Sequence, residues 1–212
     1  MKPTRVAQHS AEVRAHILET AGEVFAERGF GGAGVDEIAR RAGVNKAMLY
    51  YHVGDKAALF GETVTANLGR IHAAVAAAVA AHTDPRERFK AIPRAFVATV
   101  REHPYLPQLM LREIAAGGPN LPAAALAEMA EVMRLTAATL DDGARRRAFR
   151  RVDPFVTHLM LVGALMFMAN SVRLKDRFAN KLPIPAAAAG GLESLSDTMV
   201  AIALDGIAVK KA

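Results

Sequence analysis

The chain has 212 residues, 52% hydrophobic and 23% charged, with a net charge of +6, which suits a protein with a sizeable core and excludes a disordered chain. It contains no cysteine, so disulfides, thiolate nucleophiles and thiolate metal ligands are excluded. The start, MKPTRVAQHSAEVR, has no apolar signal core, and the cytoplasm is the expected compartment.

Strand signals are nearly absent, while apolar residues recur at helical spacing along the whole chain. A first helix is expected from Ser10, as N-cap, to Arg28, with Val13, Ile17, Ala21, Val24 and Phe25 on one face and Gly29 stopping it. A second covers Val35 to Arg41, followed by Gly43, where left-handed geometry suits glycine. A third starts after Asn45 and ends near His52. Asp55 caps a fourth that runs towards His82.

Proline-punctuated helices follow. One starts at Asp84-Pro85, with Pro93 as an expected kink or break, and one after Pro104 is closed by GGPNLP. Three more are expected: Ala123 to about Leu140, Pro154 to about Phe178, and about Leu192 to Val209, with a loop at LPIPAAAAGG. The fold class is all-α: an N-terminal three-helix helix-turn-helix domain, residues 1–55, and a larger helical domain, residues 56–212.

Charge alone does not locate a binding surface. The first 60 residues carry a net +1 and the rest +5, much of it in DDGARRRAFRR, Asp141 to Arg151. Local geometry is more informative. In ARRAGVNKAML, a small residue (Ala39), a turn glycine (Gly43) and an anchoring leucine (Leu49) have the spacing of a helix-turn-helix, whose second helix enters the major groove. With Leu49 inward, the third helix presents Lys46, Met48, Tyr50, Tyr51 and His52. Their amine, hydroxyl and imidazole groups suit phosphates and base edges, and the helix start at Asn45 offers backbone amides.

The stretch Arg14 to Phe60 resembles the DNA-binding domain of the tetracycline-repressor (TetR) family of transcription regulators. The resemblance rests on Gly29-Phe30, Ile38-Ala39, Ala42-Gly43-Val44, Leu49-Tyr50-Tyr51-His52, Lys56 and Leu59. It implies phosphate contacts from Tyr50 and Lys56 and positions near the bases for Lys46, Met48, Tyr51 and His52. Gly34 stands where the family usually has Thr or Ser, which leaves a tolerable N-cap without a side-chain phosphate contact. Asn45 replaces the usual serine, Ala47-Met48 the usual Gly-Thr, and Val53 the usual phenylalanine. A basic arm with Lys2 and Arg5 is a candidate for an adjacent minor groove.

For the rest of the chain the resemblance implies a homodimer and a pocket for a small-molecule effector. The apolar helix is expected to meet its partner through Phe155, Leu159, Val162, Gly163, Met166 and Ala169. The pocket candidates are Gln108, Met110, Glu113, Met129, Met133, His158, Met166 and Asn170, a mostly apolar set suited to a lipophilic ligand. The implied activity is repression from a palindromic operator, relieved by that effector. No cofactor, metal, catalytic residue or membrane partner is expected. The alternative is a helical protein-interaction module with an incidental helix-turn-helix corner.

Overall fold

A computed structural model describes residues 5–178 and 191–209. Its described residues form nine α-helices: α1 (Arg5–Gly32), α2 (Val35–Arg41), α3 (Lys46–Val53), α4 (Lys56–Ala80), α5 (Pro85–Glu102), α6 (Leu106–Ala115), α7 (Ala123–Arg145), α8 (Pro154–Phe178) and α9 (Gly191–Ile207). The all-α expectation is met. Helix contacts divide the chain into two compact units, one made of residues through Leu68 with Gln108–Leu126, the other of Gly69–Pro107 with the described residues from Ala127 on.

In the first unit the apolar face of α1 buries Ile17, Ala21, Val24 and Phe25 against Ile38 of α2, Leu49 of α3 and Leu59 and Phe60 of α4. Phe25 and Phe60 meet edge to face at 4.9 Å, and Phe30 joins them. Helix α1 begins at Arg5, ahead of Ser10, which lies inside it. The stop at Gly29 is real: its backbone leaves helical geometry at φ 72°, ψ 170° before a last turn to Gly32. Helix α6 ends at Gly117 and Gly118, both with positive φ, and the Gly118 N–H donates to the Glu113 carbonyl at 2.7 Å.

The second unit packs α5 against α9 and α8. Phe89, Leu140, Phe149, Leu161 and Ile207 form its core cluster. The Phe149 ring lies directly on Gly143, where even a methyl group would overlap it. The backbone after α9 completes the closure, because Arg150 N–H donates to Ile207 O (2.8 Å) and Val209 N–H to Ala148 O (3.1 Å).

Two sequence expectations change. Pro93 is buried inside an unbroken α5, so packing outweighs the lost backbone hydrogen bond. Helix α7 continues through Gly143 to Arg145, because Phe149 covers that glycine. The loop expected at residues 182–191 lies, up to residue 190, outside the described residues.

Candidate nucleic-acid interface

The turn between α2 and α3 is built by backbone geometry that the sequence dictates. Gly43 takes φ 65°, its N–H donates to Arg40 O, and Val44 N–H donates to Ala39 O. These are the two bonds of a Schellman motif, with glycine in the left-handed position. Helix α3 starts at once, because the Asn45 side chain accepts the Met48 N–H at 2.7 Å. Leu49 and Val53 face the core. With the helix so fixed, Lys46, Met48, Tyr50 and Tyr51 are turned to solvent, Tyr51 being 85% exposed.

The structure gives each expected contact residue a setting. Tyr51 and His52 meet edge to face at 5.3 Å, and His52 is half-buried. Lys46 Nζ pairs with Asp36 at 2.9 Å. That hydrogen bond, then the Asp36 charge itself, raises the lysine above its ordinary pKa. Lys56 is half-buried: its Nζ donates to Gly31 O at 3.4 Å and sits 4.9 Å from the Phe30 ring centroid. Gly34 caps α2 without a side-chain bond at φ −94°, ψ 132°, and space is open where a side chain would begin. Lys2 lies outside the described residues, as does the side chain of Arg5, whose backbone opens α1.

Sequence reading misses the residues that hold this surface in place. Arg41 makes two bonds to the Glu27 carboxylate (2.9 and 2.8 Å) and one to Glu37 (2.7 Å), which ties α2 to α1. The hydrogen bond to Glu27, then that to Glu37, raises the guanidinium further above its usual range. Glu27 is lowered mainly by the same bond. Arg14 donates to His52 O at 3.3 Å and to Glu62 at 2.6 Å, joining α1, α3 and α4. Asp36, the partner of Lys46, is also absent from the sequence reading. The only sequence signal for it is charge at the first turns of two adjacent helices.

The pocket candidates do not form one group within either unit. Gln108, Met110 and Glu113 belong to the first unit, and Met129, Met133, His158, Met166 and Asn170 to the second. Met110 is buried core. The buried Glu113 carboxylate accepts from Asn120 Nδ2 at 3.2 and 3.3 Å, pinning the turn after α6. His158 Nδ1 lies 3.1 Å from Thr136 Oγ1, and burial lowers its pKa. Thr136 Oγ1 lies equally close, 3.1 Å, to Val132 O, so its single proton serves one of the two and the His158 tautomer follows from that choice.

The dimer candidates separate by face. Phe155, Leu159 and Gly163 are exposed, whereas Val162 and Ala169 are half-buried. Met166, only 6% exposed, is already buried within its own chain. The exposed stripe instead takes in Met160 (66% exposed) and Phe167 (67%), with Ile202 exposed on α9. Pro154–Val172 is long and apolar enough to cross a membrane, at mean hydropathy 1.7.

Comparison with known proteins agrees with this geometry. Residues 17–63 match the family of bacterial regulatory proteins, tetR family. The transcriptional activator FasR of Mycolicibacterium smegmatis is 40% identical over 85 residues, 40% of this chain and 39% of that protein. The chain thus spans about two fifths of that relative's length in the match. Among solved structures, the TetR-family regulator PfmR from Thermus thermophilus superposes with a TM-score of 0.71 at 23% identity, over 92% of this chain and 99% of that one. The fatty acid degradation regulator FadR from Bacillus halodurans gives 0.72 at 20% identity, over 91% and 98%. These two establish the fold. With the turn built around Gly43 and the cap at Asn45, residues 17–63 form a helix-turn-helix region that matches the tetR family of bacterial regulatory proteins.

Proposed function

We propose that the protein is a DNA-binding transcriptional regulator that acts in the cytoplasm as a dimer on a palindromic operator. The observation that carries this reading is the exposed row on α3, Lys46, Met48, Tyr50 and Tyr51, on a helix whose start and depth are fixed by Asn45 and Leu49. Donors of these kinds suit phosphate oxygens and base edges, and Met48 suits a thymine methyl. His52 flanks the row. Lys56 has donors to spare beyond its bond to Gly31 O, and Gly34 and Asn45 bring backbone amides at helix starts.

Dimerisation is supported by the exposed apolar stripe of α8. One short recognition helix reads too few bases for useful specificity, and two must reach grooves about 34 Å apart. We take Phe155, Leu159, Gly163 and Phe167 as the partner-facing row, with Val162 and Ala169 at its margin.

Regulation in this reading is repression relieved by a small, lipophilic effector. The methionines Met129, Met133 and Met166 supply adaptable apolar surface, and His158 Nε2 and Asn170 supply polar anchors. Release from DNA is a population shift, for which moving the balance from 1:99 to 99:1 takes about 5.5 kcal/mol of differential affinity. The relative FasR is an activator, and a reporter gene placed behind the bound operator distinguishes the two senses of regulation.

The test is binding of the purified protein to DNA from around its own coding region, in wild type and in Tyr50→Ala/Lys56→Ala, at two salt concentrations. Specific, salt-sensitive binding lost in the double variant supports the regulator. Binding indifferent to both residues favours the interaction module.

A further inference from the structure

The groove between α5 and α9 carries chemistry that the regulator reading does not use. It is a half-open groove of about 180 Å³, lined by Arg94, Val97, Ala98 and Arg101 on one wall and Glu193, Ser196 and Asp197 on the other. Ser196 is 2% exposed, and its hydroxyl has no hydrogen-bond partner among the described residues. A helical serine ordinarily bonds back to the carbonyl four residues earlier, as Thr198 of the same helix does to Ser194 O at 2.9 Å. Ser196 does not.

The charges around it are arranged by sign. Both arginines come from α5 and both carboxylates from α9. The pairs across the groove are loose, Arg94 Nε to Asp197 Oδ1 at 3.5 Å and Arg101 Nη1 to Glu193 Oε1 at 4.0 Å. Neither is the short, two-pronged contact that spends a guanidinium's donors. The arginines are seven residues apart, about 10 Å along the helix, so an ion pair stands at each end of the groove. Val97 and Ala98 form an apolar floor between them. The net charge is zero, but the local field points across the groove from α5 to α9.

We propose that this groove binds a compact zwitterion of the α-amino-acid type. Its carboxylate lies on the arginine wall and its ammonium on the carboxylate wall, with its carbon skeleton over Val97 and Ala98. The Ser196 hydroxyl, turned about its single side-chain torsion, takes up the hydrogen bond it lacks. The volume equals about six times a water's share of the liquid, which suits a small amino acid such as glycine or alanine, with any larger side chain left at the open edge of the groove. A simple anion would gain from one wall and be repelled by the other. A simple cation faces the same conflict in reverse.

The experiment titrates the full chain with glycine, L-alanine and L-valine by calorimetry, with acetate and methylammonium as the separated halves. Saturable binding of one amino acid is expected, with each half binding at least about tenfold more weakly. Ser196→Ala is expected to weaken that binding about tenfold, the scale of one charge-assisted hydrogen bond. Arg101→Gln/Glu193→Gln, which keeps the groove neutral and alters only exposed side chains, is expected to weaken it further. No saturable binding by any of the three amino acids overturns the proposal and leaves the groove to water. So does binding unchanged in both variants, and acetate binding as tightly as glycine overturns the zwitterion class. None of these outcomes depends on DNA binding, so this proposal and the regulator reading fail separately.

Discussion

Helices α3 and α8 both expose large side chains, but of different kinds. On α3 the exposed residues are Lys46, Met48, Tyr50 and Tyr51, three of which end in a hydrogen-bonding group. On α8 they are Phe155, Val156, Leu159, Met160 and Phe167, none of which does. The first surface tolerates water in its partner, as a DNA groove requires. The second gains only by excluding water. Length follows the same division: α3 has 8 residues, rigidly capped, and α8 has 25. In the proposed reading, a helix that contacts DNA must be placed accurately, whereas one that meets a second copy needs area.

The contrast is broken most severely from beneath α3. Leu49→Ala removes the anchor of the recognition helix and is expected to cost about 2–5 kcal/mol. Chemical denaturation measures the loss, and DNA binding should fall with the folded fraction. On α8, Leu159→Ala/Phe167→Ala should leave folding nearly intact and weaken self-association by about 2–4 kcal/mol. Sedimentation over a concentration series reads this, and an unchanged dimer would place the interface on another face.

Smaller changes sharpen the comparison. Tyr51→Ala, at the most exposed site on α3, is expected to reduce operator affinity severalfold with no change in melting temperature. A variant that melts earlier would make Tyr51 a packing residue. Gly34→Ser supplies the cap that α2 lacks, in backbone geometry that a serine adopts freely. It should stabilise the domain by a few tenths of a kcal/mol and tighten DNA binding modestly, as paired melting and binding curves would show.

The smallest effect concerns pH. Burial lowers the His158 pKa below its ordinary 6.5, so above that pH the histidine is neutral in both folded and unfolded chains and its contribution is level. As pH falls below 6.5, the unfolded chain takes up the proton first and stability is lost. His158→Gln should flatten that decline, measured by denaturation at neutral and mildly acidic pH.

The N-terminal helices are legible in the sequence because local rules fix them. Gly29, Gly43 and Asn45 each act within a few residues, and the structure places all three as their chemistry requires. Pro93 and the end of α7 mislead for the opposite reason. Pro93 looks like a helix breaker locally yet is buried inside α5, and α7 runs past Leu140 to Arg145 with Phe149 lying on Gly143. On α8 the sequence shows an apolar helix but not its orientation. Met166 is therefore placed in both the pocket and the dimer row when it is buried, and Met160 and Phe167 go unnoticed in the dimer row. The expected contacts on α3 are exposed groups as foreseen, apart from the half-buried His52. Their supports, Arg14, Arg41 and Asp36, become visible only when the chain is folded.

The Lys46–Asp36 pair has a consequence for how tightly the protein is held to DNA in different salts. Affinity for a polyanion grows with the number of condensed counterions that the protein's cations release. A lysine already neutralised by its own carboxylate releases fewer than a bare one, because Asp36 must first give it up or enter the DNA's field beside it. In the proposed reading, Lys46 brings direction more than attraction to the duplex. Asp36→Asn would turn it into an ordinary cation, with binding that is stronger on every sequence and less able to tell one from another.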